Sequence, residues 1–327
     1  PRDVPGVVLS GHTDVVPVDG QAWDTNPFAV VEKDGKLFGR GTSDMKSFIA
    51  IALALAPEFA KTKLKTPIHF ALSFDEEVGC LGAPLMIEKM DQFSAKPRAV
   101  IVGEPTNMSV VNAHKGVCSF HTTVHGLERH SSEIDRGVNA VAYAAELVHF
   151  LSGVAEEMRD HRAQPESGFN PPYTTVHVGT IQGGTAQNIV PLHCTFSWEY
   201  RLMPGEDLSA IRNRFQTYVD EVVLPKMHAV DDTTGIETEV RAFVPGLAPE
   251  EGSTAESLVL ALARKNTTEV VAYGTEAGQF QVAGNPVVVC GPGSIAQAHK
   301  PNEFIELSEV RACEIFMRRL LSEVCTA

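Results

Sequence analysis

No stretch of the 327 residues approaches the roughly 18 consecutive apolar residues that a membrane-spanning helix requires. Positive charge is also scarce: 27 lysines and arginines face 41 aspartates and glutamates, for a net charge of −14. So acidic a chain is repelled by phosphate backbones and anionic lipid, which argues against nucleic-acid and membrane-surface partners. The six cysteines (Cys80, Cys118, Cys194, Cys290, Cys313 and Cys325) include no C-x-x-C pair. That spacing speaks against a zinc ribbon or a disulfide framework and fits reduced thiols in a cytoplasmic protein. Pro1-Arg2-Asp3 begins no charged-then-apolar signal segment, and no internal repeat or low-complexity tract is evident.

What the chain does have is length for two domains and 43% hydrophobic residues for a sizeable core. Val7-Val8-Leu9 reads as a short buried strand running into Ser10-Gly11-His12-Thr13-Asp14. If the extended backbone continues, period-two alternation puts His12 and Asp14 on one side. An imidazole beside a carboxylate is the pattern of a metal ligand and the group that orients it, although His-x-Asp alone is more often a local turn. Further on, Gly39-Arg40-Gly41-Thr42-Ser43-Asp44 precedes an apolar helix over Lys46–Phe59. Asp44 is thus either an N-cap or a carboxylate presented to a cation. Pro67–Phe74 reads as a strand that ends in Asp75-Glu76-Glu77, and Ala99–Val102 as one that ends in Gly103-Glu104-Pro105. Acids gathered at strand ends are unremarkable as solvated turns, but strand ends in α/β sheets are also where ligands collect. With helices between them, these strands predict a mostly parallel sheet.

From about Val111 the pattern becomes strand, helix, strand, strand, helix, strand: Gly116–Gly126, Asn139–Leu151, Tyr173–Ile181, Leu192–Arg201, Leu208–Val223 and Glu237–Ala242. That order is the split βαβ, or ferredoxin-like, arrangement. The expected fold class is therefore α/β, with residues 1–111 and 244–327 forming one domain and 112–243 an inserted α+β domain. After a helix at Glu256–Arg264 and a strand at Val287–Cys290, a glycine-rich loop from Gly291 ends in His299-Lys300-Pro301-Asn302-Glu303, and Leu307–Cys325 is a terminal amphipathic helix.

Five of these stretches, SGHTDVVP, GRGTSDMK, SFDEEVG, GEPT and GPGSIAQAHKPNEF, stand in the order found in the M20 family of di-zinc aminoacyl hydrolases and peptidases, which the chain resembles over nearly its whole length. The acetylornithine deacetylase and succinyl-diaminopimelate desuccinylase branch looks most similar. The resemblance implies two Zn²⁺, with Co²⁺ as a possible substitute, and a lid and dimerisation role for the inserted domain in a homodimer. It implies Asp44 as the carboxylate shared by both metals, His12 and Glu104 completing one, and Glu77 and His299 the other. Glu76 then resembles the general base and Asp14 the group orienting His12. The residues themselves do not decide which of Glu76 and Glu77 is base and which is ligand. Three ligand carboxylates and a hydroxide balance two Zn²⁺, which leaves Glu76 as a spare anion.

In the inserted domain, Gly126–Ser132 resembles the family's G-x-x-x-H-S segment, implying that His130 reaches the partner subunit's site and helps hold the oxyanion. Asn188 and Arg201 resemble substrate-positioning groups, and a guanidinium fork suits an α-carboxylate. Tyr273–Phe280 resembles the deacetylase branch's T-E-A-G segment, implying that Glu276 meets the cationic side chain of acetylornithine. The implied substrate is a small N-acyl amino acid, and the implied reaction is deacetylation of N2-acetyl-L-ornithine in arginine biosynthesis. A desuccinylase, a broad aminoacylase and a metal-free binding relative are the alternatives. Family members carry several dozen residues before the His-x-Asp strand, so the resemblance also implies an N-terminal portion outside this sequence.

Overall fold

The computed structural model describes residues 3–325 apart from the side chains of Asp91 and Phe93, so Pro1 and Arg2 of the N-terminal reading lie outside it. It divides into two compact units, residues 1–114 with 246–327, and residues 115–245.

The first unit begins with β1 (Val7–His12), the hairpin β2 (Val31–Lys33) and β3 (Lys36–Phe38), and α1 (Lys46–Lys61). It continues through β4 (Ile68–Ser73), α2 (Gly82–Phe93), β5 (Ala99–Pro105) and the short β6 (Val111–His114). The sequence boundary at 111/112 falls inside β6, which pairs with a later strand of this unit and so draws residues 112–114 into it.

The second unit holds β7 (Gly116–His125), α3 (Ala140–His161), β8 (Thr175–Gly183), β9 (His193–Leu202), α4 (Ala210–Tyr218), α5 (Leu224–His228) and β10 (Gly235–Val244). Its four strands form an antiparallel sheet in the order β10-β7-β9-β8. Strict alternation along β7 and β9 sends Cys118, Phe120, Trp198 and Tyr200 into one core with Leu147, Leu151 and Phe215 of the helices. Helix α3 runs ten residues beyond its expected end at Leu151, because Val154 and Met158 continue its apolar face.

The chain then returns to the first unit with α6 (Thr254–Ala263), β11 (Glu269–Val271), α7 (Ala277–Val282), β12 (Val287–Gly291), β13 (Phe304–Glu306) and α8 (Leu307–Val324). Its main sheet has the order β11-β6-β12-β5-β1-β4. The four strands from β12 to β4 are parallel, and β6 and β11 run opposite to them. Val7, Leu9, Ala99 and Ile101 pack on one face with Phe48, Leu258 and Phe316, while Val8, Val100 and Val102 pack on the other with Ile87 and Phe280. A sheet buried on both faces is why these strands read as unbroken apolar runs. The fold is thus α/β, with a mostly parallel sheet and a separate antiparallel one.

Candidate active site

Parallel strands end on a common edge, and here a cluster of acids and two imidazoles collects at that edge. His12 closes β1 with no exposed surface. Glu104, near the end of β5, is 4% exposed. Asp75 has φ of 54°, in the left-handed region that Asp tolerates better than most residues, and this turn ends β4 just before Glu76 and Glu77.

Asp44 does not cap α1. The N-cap position is Met45, with no side-chain cap bond. The Asp44 carboxylate instead stands between two imidazoles: Oδ1 is 3.2 Å from His12 Nε2 and Oδ2 is 3.5 Å from His299 Nε2. His12 Nε2 is also 3.7 Å from Glu104 Oε1, and His299 Nε2 is 3.0 Å from Glu77 Oε2. Two ligands ~2.0–2.1 Å from one tetrahedral Zn²⁺ lie ~3.3 Å from each other, so this donor set fits such ions. Donor atoms of His12, Glu76 and Glu104 all lie within 4.8 Å of one another, as do those of His12, Asp44 and Glu77.

The electrostatics match a cluster rich in carboxylates. Burial alone pushes the His12 imidazole down, but Asp44, Glu104 and Glu76 together raise it to about 11. Burial also opposes ionisation of Asp44, yet His12 and His299 hold it well below the usual carboxylate range. Asp44 and Glu77 raise His299 to about 10. Burial lifts Glu76 to about 7, and burial with the Asp44 charge lifts Glu104 well above its ordinary value. Divalent cations would favour the ionised forms of Glu76 and Glu104 that burial and the neighbouring carboxylates disfavour.

Asp14 is tied to both imidazole and acid. Its backbone oxygen lies 3.2 Å and its Oδ1 3.5 Å from His12 Nδ1, while Oδ2 accepts from the Glu77 N–H at 3.0 Å. Val16 N–H in turn donates to Glu77 Oε1 at 3.2 Å. Cys80 Sγ donates to Glu76 Oε1 at 3.2 Å, a contact the scattered cysteines gave no reason to expect.

Glu276 requires a correction. It was expected to meet a cationic substrate side chain, but it is 1% exposed and its two oxygens accept from Ser10 Oγ at 2.5 Å and Ser73 Oγ at 2.7 Å. Ser10 lies one pleat repeat behind His12, so this carboxyl sits on the buried face below the imidazole rather than at a surface. Burial raises its pKa. Glu303, missed as an individual residue, is wholly buried and accepts four hydrogen bonds. Its neighbours Asn302 and Phe304 gave no sign that a carboxylate there would be buried.

In the second unit, His130 is exposed and precedes a 3₁₀ turn at Ser131–Arg136. Its Nδ1 accepts from the Ser132 N–H at 3.2 Å and lies 2.7 Å from Ser132 Oγ. Exposed Asn188 is its neighbour: the Ser131 N–H donates to the Asn188 carbonyl at 3.0 Å, and His130 bridges to Ile189. Arg201 is not with them. It lies near the far end of β9 from the connection that carries Asn188, with Nε donating to Glu199 Oε1 at 3.1 Å.

A family model described as Peptidase family M20/M25/M40 matches residues 8–323. An acetylornithine deacetylase of Myxococcus xanthus is 36% identical over 320 residues, which are 98% of this chain and 80% of that protein. Among solved structures, an M20 family metallo-carboxypeptidase of Sulfolobus solfataricus aligns with a TM-score of 0.73 at 17% identity, covering 97% of this chain and 84% of its own. A dinuclear metal-binding M20 peptidase of Bacillus subtilis gives 0.60 at 15% identity, over 99% and 82% of the two chains. At those identities the two structures speak for the fold alone.

Proposed function

The chain belongs to peptidase family M20/M25/M40, and from that premise we propose that it hydrolyses the acetyl amide of N2-acetyl-L-ornithine to L-ornithine and acetate, a step of arginine biosynthesis. The observation that carries the proposal is the placing of His12, Asp44, Glu77, Glu104 and His299 at ligand spacing with Glu76 beside them. The substrate rests on the deacetylase that shares 36% of its residues.

In this reading His12, Glu104 and Asp44 hold one Zn²⁺, and Asp44, Glu77 and His299 a second, with Co²⁺ able to replace them. When bound, such a pair acidifies water and polarises an acyl oxygen. Glu76 does the proton work: it takes a proton from the attacking water and passes it to the leaving amine. The partly desolvated setting that lifts Glu76 towards neutrality suits a group that must both accept and return a proton. Asp14 fixes the His12 ring and tautomer. In a homodimer formed through the second unit, exposed His130 donates to the oxyanion of substrate held by the other subunit, and Asn188 assists in positioning it. Arg201 keeps its Nη donors for an α-carboxylate. The free cysteines fit a cytoplasmic setting, and no helix among the described residues is long and apolar enough to cross a membrane.

Rates on N2-acetyl-L-ornithine, N-succinyl-diaminopimelate and a neutral N-acetyl amino acid test the assignment. The highest kcat/KM on acetylornithine is expected. A higher value on the succinyl substrate overturns the substrate but not the amide hydrolysis.

A further inference from the structure

Glu303 touches none of the residues proposed to bind metal through its side chain except at one backbone atom, yet it organises two of them. It directly precedes β13, whose antiparallel pairing of Phe304 with Phe38 lays it alongside the 39–44 segment. There Oε2 accepts from Arg40 Nη1 at 2.8 Å and from the Gly41 N–H at 3.0 Å, while Oε1 accepts from the Ser43 N–H at 2.7 Å and the Asp44 N–H at 3.0 Å. A carboxylate with no exposed surface, facing the start of α1, thus fixes the backbone that carries Asp44.

The other half of the connection runs through Arg40, whose side chain is 1% exposed. Its Nη1 also reaches the Lys300 carbonyl at 3.3 Å, and Nη2 donates to Gln21 Oε1 at 2.6 Å. Gln21 Nε2 donates to the His299 carbonyl at 2.9 Å. Asp44 and His299, 3.5 Å apart at Oδ2 and Nε2, are therefore held from behind by one network. His12 and Glu104 are positioned by β1 and β5, and His12 meets this network only at Asp44 Oδ1.

We infer that Glu303 is a positioning residue that sets the Asp44-to-His299 separation and thereby the affinity of one half of the metal centre. The inference rests on the metal centre under Proposed function. Glutamine at 303 keeps the shape but offers a single acceptor oxygen. Its NH2 group would face one pair of donors, so either the Arg40 and Gly41 side or the Ser43 and Asp44 side loses its acceptor. An acid acting only as structural filler would, when changed, lower stability without favouring either metal.

The test is Zn²⁺ titration of the chelator-stripped full chain against a chromophoric zinc competitor, with thermal unfolding of the metal-free protein alongside. Wild type is expected to take two equivalents. For Glu303→Gln, one equivalent is expected to weaken ~10–100-fold, the usual range for a group behind a ligand, and the other, which shares only Asp44 with it, by several-fold less. Equal weakening of both, or none, overturns the inference. If Glu303→Gln does not fold, half-buried Gln21→Ala takes its place: selective weakening of one equivalent supports the network, and two unchanged equivalents contradict it. A wild-type chain that binds fewer than two equivalents sinks the metal centre itself, which is a different result from an indifferent variant of a chain that binds two.

Discussion

His12 Nε2 stands 3.2 Å from Asp44 Oδ1, although 32 positions separate the two residues in sequence. The contact joins the end of β1 to the start of α1, and it is the point where the two halves of the proposed centre meet. Asp44→Asn, which keeps the shape and removes the charge, is expected to lower kcat/KM by more than the ~100-fold seen for outer-shell partners and to lower zinc content with it. Glu76→Gln is expected to cost ~10²–10⁴-fold in kcat with zinc content unchanged. Equal zinc loss in both variants would mean that Glu76 is a ligand rather than the base.

The metal-free protein should lose stability as pH rises. His12, raised from 6.5 to about 11, contributes fully below pH 6.5 and loses that contribution as pH climbs towards 11. Glu76, raised from 4.5 to about 7 by burial, keeps its proton in the folded chain where the unfolded chain has released it, so its burial costs stability between those values and above. Glu76→Gln removes that second cost. Its metal-free form should gain on wild type by about 1–3 kcal/mol on going from pH 4.5 to 8, a range discounted for the residue's partial exposure. Denaturant unfolding at both pH values measures it, and a gap that does not change with pH would contradict the assignment.

Gly103 sits next to Glu104 under the ring of Phe48. A Cβ there would fall 2.1 Å from Phe48 Cδ1 and Cγ, both in the packed core. Gly103→Ala should therefore destabilise by about 1–3 kcal/mol through overpacking. An unchanged denaturation midpoint would show that α1 yields more easily than its packing implies.

Glu276→Gln should leave the preference for acetylornithine over a neutral N-acetyl amino acid unchanged, because its carboxyl is taken by Ser10 and Ser73. A selective rise in KM for the cationic substrate would return this residue to the binding site.

Much of the fold was legible in the sequence because burial on both faces writes strands as continuous apolar runs, as in Val7-Val8-Leu9 and Ala99–Val102. Strands β6, β11 and β13 were not, since three or four residues hold at most two full alternations. At the site, the strand-end acids marked the right edge, but the direction of each side chain was invisible. Asp44 read equally as a cap, and Glu276 read as the partner of a cationic substrate although its own partners lie on β1 and β4. The role of Glu303 depends on four donors brought together by the β3–β13 pairing, which no local pattern encodes.

The most direct test is the metal content of the purified chain, followed by chelation and stepwise return of Zn²⁺ while hydrolysis of N2-acetyl-L-ornithine is followed. The account predicts two equivalents per chain, activity lost on stripping, and recovery with added Zn²⁺ or Co²⁺. Full activity in a chain stripped of metal would contradict it.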